Sequence, residues 1–325
     1  MRVHPGLAAL FLSLASLAGV PAADAQQYPT KPIHVIVPFA AGSVPDVVTR
    51  LPAEKMAIGL GQPVIVENRA GAGGRIAAEF VAKSASDGYT LLMGTASTHV
   101  VGPLLVKNMP YDPVKDFTPI CLAVSPVSGF VINASIAANS VKEFVAYAKA
   151  NPGKVAYASN GIGSSSHLVG ELINMTAGID MLHVPYQGSN EALNALLAGQ
   201  VQVSFTSPGS IAQYLPSGKV KLLAILPGQR FPGTPNTPTL AEALPGYQSV
   251  TDWFGFFGPA HLAQPIVARL HGEIVKALNA PEVRSKLETQ TMLVIASTPE
   301  EFAALMKREA PIFARVVKAT NIPMQ

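Results

Sequence analysis

Two short segments rich in small and hydroxyl residues are the parts of this sequence that could do chemistry. They are FAAGSVPD at residues 39–46 and SNGIGSSSH at residues 159–167. Each follows an apolar run and precedes a helical pattern, and free N–H groups at a helix start attract anions without lysine or arginine. If the two segments face each other across a cleft, they predict a site that holds a small carboxylate at both ends. Each segment alone is equally typical of ordinary helix capping.

Signatures of catalysis are absent from the sequence. There is no G-x-S-x-G nucleophile elbow, and the seven histidines form no H-x-H or H-E-x-x-H pair. The single cysteine, Cys121, lies in an apolar strand without an obvious histidine partner, which favours a buried, unreactive thiol. We therefore expect a protein that is not an enzyme.

Metal and cofactor sites are also disfavoured. His167 and Glu171 are four residues apart on one helix, a spacing that could bind a metal but more often gives a contact on the helix surface. The glycine-rich stretches at residues 71–74 and 161–166 lack the spacing of a dinucleotide loop and the lysine of a P-loop. The sequence thus predicts no metal, no nucleotide and no other cofactor.

Composition narrows the class of partner. The chain has 325 residues with 23 basic and 20 acidic side chains, giving a net charge of +3 with no basic cluster. Nucleic-acid binding needs a clustered positive face, so no nucleic-acid partner is expected. We expect a monomer.

The first 25 residues have the features of a signal peptide. Arg2 and His4 give a weakly positive start, LAALFLSLASLAGV at residues 7–20 is apolar, and ADA at residues 23–25 offers a cleavage pattern. The alternative is a membrane anchor, for which the run is shorter than the ~20 residues needed to cross a bilayer. The sequence predicts export and cleavage near Ala25, most simply into the periplasm.

The elements that must position the two segments alternate between strands and helices. The predicted strands are mostly continuous apolar runs, which favours strands buried on both faces and parallel βαβ units; they lie at residues 34–39, 63–67, 90–93, 155–159, 181–184, 202–206, 221–226, 253–257 and 293–296. Helix starts are indicated by Ser140, Thr298 and Ser43, each with an acidic residue three positions later. Pro52 and Pro311 are expected to kink or interrupt their helices.

The length favours two domains rather than one. A compact domain rarely exceeds about 250 residues. We expect domain 1 to comprise residues 26–127 plus 249–325, and domain 2 residues 128–248, with the chain crossing between them near residues 127 and 249.

Motifs spread over nearly the whole chain resemble one receptor family. They include IVPF at residues 36–39, ENRAGAGG at 67–74, DGYTLL at 87–92, KANPG at 149–153 and HVPYQG at 183–188. Together with the signal peptide, these segments resemble the Bug-type (TctC-like) receptors of tripartite tricarboxylate transporters. The resemblance implies an α/β, two-domain Venus-flytrap periplasmic binding protein with its ligand cleft between the domains. It also implies binding of a small organic acid (a dicarboxylate, an acidic amino acid or an aromatic carboxylate) for membrane permease subunits.

The resemblance also implies which residues contact the ligand. In the family, two loops hold the ligand carboxylate, and they match residues 38–46 and 159–167 here. Gly42 and Ser43 are expected to donate N–H groups, with Ser43 also capping its helix, while Asp46 is expected to hold a water or cap a backbone group rather than touch the ligand. His167 is expected to be a structural residue at a helix start. The full predicted set is Phe39, Ala40, Gly42, Ser43, Asp46, Thr98, Ser159, Gly161, Gly163, Ser164, Ser165, His167, Tyr186 and Thr206.

Two positions in this set, and Pro45 in the first loop, have alternatives or depart from the family pattern. Tyr186 is expected in the cleft wall, or else plugs the loop before Gly188. Ser43 stands where the family usually has a second glycine, and Pro45, which has no N–H, stands where it has a threonine or a small residue. These two changes could alter ligand preference.

The role of such a receptor has one further reading. The alternative to a transport receptor is one that delivers its ligand to a membrane signalling protein.

Trp253, the sole tryptophan, is expected in the core near the second crossing.

Overall fold

The computed structural model describes residues 28–250 and 252–320. The predicted signal peptide, its cleavage site and the start of domain 1 at residue 26 lie outside the described residues. Within them the architecture is α/β, with eleven strands in two sheets. The strands are β1 Ile33–Val37, β2 Val64–Asn68, β3 Thr90–Thr95, β4 Phe117–Pro126, β5 Gly129–Asn133, β6 Ala156–Ser159, β7 Leu182–Pro185, β8 Val203–Thr206, β9 Val220–Ile225, β10 Phe254–Pro259 and β11 Met292–Val294.

Helices occupy most of the chain between these strands. They are α1 Val44–Leu60, α2 Arg75–Ala82, α3 Gly102–Leu105, α4 Val141–Ala150, α5 Ser165–Ala177, α6 Ser189–Leu197, α7 Pro208–Ile211, α8 Leu240–Ala243, α9 Gln264–Asn279, α10 Pro281–Thr289 and α11 Pro299–Thr320. A 3-10 turn, Ala72–Gly74, precedes α2, and a π-helical turn, Ser97–Val101, precedes α3.

The two sheets have similar internal organisation. The first sheet has the order β11-β4-β10-β3-β1-β2 and the second β7-β6-β8-β5-β9. In the first, β1 pairs in parallel with β2 and β3; in the second, β6 pairs in parallel with β7 and β8. The remaining pairs are antiparallel. The predicted parallel βαβ units are present in both sheets, but the antiparallel pairs were not predicted, because a continuous apolar run indicates burial on both faces and not the direction of the neighbouring strand.

Two strands, β4 and β5, are not among the strand ranges predicted from the sequence. Cys121 does lie in a strand, but β4 carries Pro119 and Pro126, which disfavour a strand in sequence terms. Pro119 is accommodated beside a register shift, where Phe257 of β10 is its partner. The second strand, β5, was missed altogether; it begins at Gly129 and has only five residues.

The chain passes between the sheets twice. It leaves the first sheet after Pro126 and enters the second at Gly129, then leaves after Ile225 and re-enters at Phe254. Helix α11 packs against both β4 and α5, so the C-terminal segment touches elements of both sheets. The domain limits near residues 127 and 249 stay predictions.

The core explains several sequence features. Trp253 is fully buried as predicted, with its ring N–H donating to Glu309 at 3.0 Å. Cys121 is fully buried, as predicted, and that burial raises its thiol pKa to about 12.

Neither interior proline interrupts its helix, so the expected interruption is wrong, while the expected kink stays a prediction. Helix α1 continues through Pro52, and α11 continues through Pro311. A proline removes only one backbone hydrogen bond from the ladder. Pro52 is buried against the core, and Pro311 lies on the solvent side, where water can satisfy the freed carbonyl.

None of the described helices has both the length and the apolar character needed to cross a membrane.

Candidate ligand-binding site

The first loop, residues 39–46, connects β1 to α1 as predicted. Its conformation is held by Asp46, a nearly fully buried carboxylate. Asp46 accepts hydrogen bonds from the Gly42 N–H at 2.9 Å, the Asn68 amide at 2.8 Å and the Arg50 Nε at 3.0 Å. Burial raises the pKa of Asp46, but these hydrogen bonds outweigh it and hold the pKa below its ordinary value. The prediction that Asp46 caps a backbone group is confirmed.

Ser43 differs from its predicted role. It has the extended backbone of an N-cap residue, but its hydroxyl makes no capping hydrogen bond, and Oγ is buried without a partner among the described residues. An N-cap hydroxyl accepts from the second or third helical N–H, and the second position here is Pro45, which has none. The predicted capping by Ser43 is therefore wrong.

The backbone N–H groups of the first loop are also engaged. The Ser43 N–H donates to the Ala40 carbonyl at 3.1 Å, and the Gly42 N–H donates to Asp46. The Phe39 carbonyl accepts from the Asn68 amide at 3.0 Å, while Ala40 is exposed. In this conformation a ligand would compete with these contacts, so donation from Gly42 and Ser43 to a ligand stays a prediction.

The second loop, residues 159–167, connects β6 to α5, again as predicted. Ser164 is the N-cap residue, and its Oγ accepts from the His167 N–H at 3.3 Å and donates to the Gly161 carbonyl at 2.7 Å. Gly161 and Gly163 have φ values of +117° and +77°, which a residue with a Cβ rarely adopts. The Gly163 N–H donates to Nδ1 of His167 at 3.0 Å. The loop is therefore closed by its own polar groups.

A stacked pair of histidines supports the second loop from behind. The rings of His167 and His183 are 3.7 Å apart and nearly parallel, at 6°. Nε2 of His183 lies 2.6 Å from the hydroxyl of Ser159, which is fully buried. Burial, followed by the neighbouring His167, lowers the pKa of His183 to about 4, and burial lowers that of His167 as well. His167 thus has the helix-start role expected of it, and a contact with ligand stays a prediction.

A cavity of about 210 Å³ lies where the two sheets meet. We call it the inter-sheet cavity. The second loop and the start of α5 line one wall, and the rest is lined by the π-helical turn, β8 and the segments that cross between the sheets. The lining residues are Asn160, Ser164, Ser165, Ser166, Val169, Ser97, Phe205, Pro126, Ser128, Leu226, Val250 and Asp252.

The cavity carries hydroxyl and amide groups but only one ionisable side chain, that of Asp252. The Ser165 hydroxyl donates to Oδ1 of Asp252 at 2.5 Å, which joins the start of α5 to the strand segment before β10. Burial raises the pKa of Asp252, and the Ser165 hydrogen bond acts in the opposite direction. In the described part of the chain, no group of three or more His, Cys, Asp or Glu side chains could hold a metal ion.

The sequence model of a protein family, the tripartite tricarboxylate transporter family receptor (TctC), matches residues 48–322 of this chain. The chain belongs to this family. The sequence resemblance is confirmed, and so is the two-domain α/β fold of a periplasmic binding protein.

Relatives of this receptor include proteins of known structure. The chain is 34% identical to the protein BugT of Bordetella pertussis, over 97% of each chain. It is 36% identical to MatC from Rhodopseudomonas palustris, solved with bound malate, with a TM-score of 0.66 over 89% of this chain and 100% of that one. An R. palustris protein solved with adipate is 30% identical, with a TM-score of 0.70 over 91% of this chain and 99% of that one.

The structure brings together only part of the predicted site of this receptor. Ser164 and Ser165 line the inter-sheet cavity, whereas none of the first-loop residues does. Ser159, Gly161, Gly163 and His167 lie behind this wall or beside it and hold the second loop together through the contacts given above.

Two residues of the predicted set, Thr98 and Thr206, lie next to residues that line the inter-sheet cavity. Thr98 is fully buried, with its hydroxyl bonded to Thr95 and His99, and it is Ser97 that lines the cavity. A contact of Thr98 with the ligand stays a prediction. At the end of β8, Phe205 lines the cavity rather than Thr206, since successive side chains of a strand point to opposite faces.

Tyr186 does not line the inter-sheet cavity. It is half-buried and packs against the smaller hydrophobic cluster beneath α6. Whether Tyr186 lies in the cleft wall or plugs the loop before Gly188 stays a prediction.

The sequence prediction missed Asp252, Ser128 and Ser97. Asp252 directly precedes the buried Trp253, so an acidic residue at the start of a core strand was the available signal. Nothing in the local pattern points to its contact with Ser165, which is 87 positions away in the sequence.

Proposed function

We propose that this chain is a periplasmic solute-binding receptor that captures a small organic acid for a tripartite tricarboxylate transporter. The observation that carries the proposal is the inter-sheet cavity, which lies between the two sheets and is lined on one side by the serine-rich start of α5. Its volume of about 210 Å³ is several times the ~30 Å³ share of one water molecule, which suits a small metabolite.

The family and its ligands support the choice of an organic acid. MatC was solved with malate, and the second R. palustris relative was solved with adipate; both ligands are dicarboxylic acids. The hydroxyl groups of Ser164, Ser165 and Ser166 give this cavity donors for a carboxylate without a basic side chain. The ligand class covers dicarboxylates, acidic amino acids and aromatic carboxylates.

The remaining features of the proposal follow from this role. Domain 1 comprises residues 26–127 plus 249–325 and domain 2 residues 128–248, so a ligand in the cavity contacts both domains and favours their closure. The protein acts without catalysis, after removal of the segment ending near Ala25, as a monomer in the periplasm. Its partners are the membrane permease subunits that receive the ligand.

The direct test is a thermal-unfolding screen against organic acids, including malate, adipate, aspartate, glutamate and benzoate. A ligand present at 100 times its dissociation constant adds ~2.7 kcal/mol to the free energy of unfolding. We expect at least one acid to stabilise the protein in a saturable manner. If no organic acid does so, the proposed function is overturned.

A cavity-filling variant shows whether the binding occurs in the inter-sheet cavity. Ser97 is exposed and lines the cavity on the side of the first sheet, so S97F should fill it and abolish stabilisation by the ligand. S210F places the same ring at an exposed position outside the cavity and should leave stabilisation unchanged. Retained binding in a folded S97F variant would place the site elsewhere.

The transport role is tested separately by capture from membranes. Ligand-loaded receptor should retain permease subunits from detergent-solubilised membranes of the source organism. Retention of a sensor kinase instead would contradict the transport role.

A further inference from the structure

The inter-sheet cavity has an unbalanced charge. Asp252 is the one ionisable side chain among the residues that line it, and in the described part of the chain no lysine, arginine or histidine forms an ion pair with it. A receptor for a plain carboxylate would thus bring a second negative group towards an uncompensated carboxylate. Like charges at short range in a partly desolvated site disfavour each other.

The position of Asp252 is fixed by its surroundings. Oδ1 accepts from Ser165, and its backbone carbonyl accepts from the Ser125 hydroxyl at 2.9 Å. The next residue, Trp253, is fully buried and bonded to Glu309, which anchors the chain beside the cavity. The other oxygen, Oδ2, accepts no hydrogen bond from the described residues and is not among their buried, unpartnered atoms. It is therefore available to a ligand.

The two sides of the cavity differ in what they can bind. Ser164, Ser165 and Ser166 present hydroxyl groups at the start of a 13-residue helix, an environment that favours a negative group. Asp252 presents a carboxylate, whose burial cost falls when a cation lies beside it. A ligand that carries a carboxylate and an ammonium group satisfies both sides at once.

We propose that Asp252 is a specificity-determining residue that binds a protonated amine, so that the receptor takes amino-bearing organic acids in preference to acids without an amine. The inference rests on the proposed function, because it assumes that the ligand occupies the inter-sheet cavity. It selects one class, the amino acids, among the organic acids that the proposed function admits.

Calorimetric titration with matched acids tests the inference. The pairs are aspartate and succinate, glutamate and glutarate, and 2-aminoadipate and adipate, and the N-acetyl form of each amino acid removes the positive charge but keeps the skeleton. We expect the wild-type receptor to bind an amino acid at least about tenfold more tightly than its amine-free and N-acetylated partners.

The variant D252N then assigns the preference to one residue. Asparagine keeps an oxygen for the Ser165 hydrogen bond and replaces the charged carboxylate with a neutral amide. D252N should weaken binding of the amino acid about tenfold or more. It should also reduce the difference in affinity between the amino acid and the matched amine-free acid. D180N makes the same charge change at an exposed side chain outside the cavity and should leave both affinities unchanged.

The outcomes separate the two proposals. If amine-free acids bind as tightly as amino acids, or if folded D252N keeps the wild-type preference, the role of Asp252 is overturned and the receptor function stands. If no acid of either kind binds, the receptor function falls and this inference falls with it. Should D252N fail to fold, the comparison of free and N-acetylated amino acids on the wild-type protein still tests the preference for an amine, and equal affinities would overturn the role of Asp252.

Discussion

Asp46 concentrates more polar contacts than any other side chain of the first loop. One nearly buried carboxylate accepts from the backbone of the loop, from Asn68 of β2 and from Arg50 one helical turn away. An ion pair between residues four apart on an exposed helix contributes only a few tenths of a kcal/mol. Because Asp46 is buried and also accepts from the loop backbone, we expect it to stabilise the protein by more than an exposed ion pair would.

We predict that D46N lowers the free energy of unfolding by about 1–3 kcal/mol, because the amide can no longer accept three charge-assisted hydrogen bonds. The measurement is equilibrium unfolding in urea. The matched control is E79Q, which changes the exposed i,i+4 pair of Glu79 with Lys83 and should cost less than about 0.5 kcal/mol. Equal effects of the two substitutions would show that Asp46 does not stabilise the loop.

The hydroxyl groups of Ser43 and Ser164 stand at equivalent positions but have different surroundings. Ser164 caps α5, so S164A should lower the free energy of unfolding by about 1 kcal/mol. The Ser43 hydroxyl has no partner among the described residues, so S43A should change stability by less than about 0.5 kcal/mol. Urea unfolding of both variants provides the comparison, and a larger loss for S43A than for S164A would contradict it.

Ligand affinity gives S43A a second readout. If the first loop contacts the ligand, the unpartnered hydroxyl is a donor kept free for it, and S43A should weaken binding about tenfold while stability is unchanged. Unchanged affinity in S43A would remove Ser43 from the predicted site.

At the scale of elements, the second loop depends on β7 through the stacked pair of His167 and His183. The pKa of His183 is lowered to about 4, below the ~6.5 of an unperturbed histidine. Between these two values the unfolded chain binds more protons than the folded protein, so stability falls as pH decreases. The contribution of neutral His183 to the free energy of unfolding is fully present above pH ~6.5 and is lost progressively as the pH approaches 4.

We predict that H183Q reduces the pH dependence of unfolding in this window. Glutamine cannot titrate, so the stability difference between pH 7.5 and pH 5 should be smaller in H183Q than in the wild-type protein. The difference between the two proteins removes the contribution of other groups, including Asp46. Identical pH profiles would mean that His183 is not the source of the pH dependence.

At the scale of the whole molecule, the two loops belong to different sheets, and only the second lines the inter-sheet cavity. A bound ligand should slow amide exchange at the start of α5 and in the crossing segments near residues 126–128. If the ligand also bridges to the first loop, exchange at Gly42 and Ser43 should slow in the same titration. Hydrogen exchange measured with and without ligand distinguishes these cases, and protection confined to the first loop would contradict a site in the inter-sheet cavity.

The sequence by itself determined the local units and the family of this protein. The strand–loop–helix units β1–α1 and β6–α5, the serine cap of α4 at Ser140, the capping function of Asp46 and the burial of Trp253 were all predicted. These features depend on residues within a few positions of each other, whose spacing is visible along the chain. The motifs of the receptor family are equally local.

Only the tertiary structure decided which groups meet in the cavity. The antiparallel strands, the burial of Thr98 in place of Ser97 and the contact of Ser165 with Asp252 depend on how distant segments pack. Whether the Ser43 hydroxyl finds a partner likewise depended on the fold around it. An apolar or polar pattern specifies that a side chain is buried or exposed, but the partner it meets is selected by long-range packing, which local spacing does not encode.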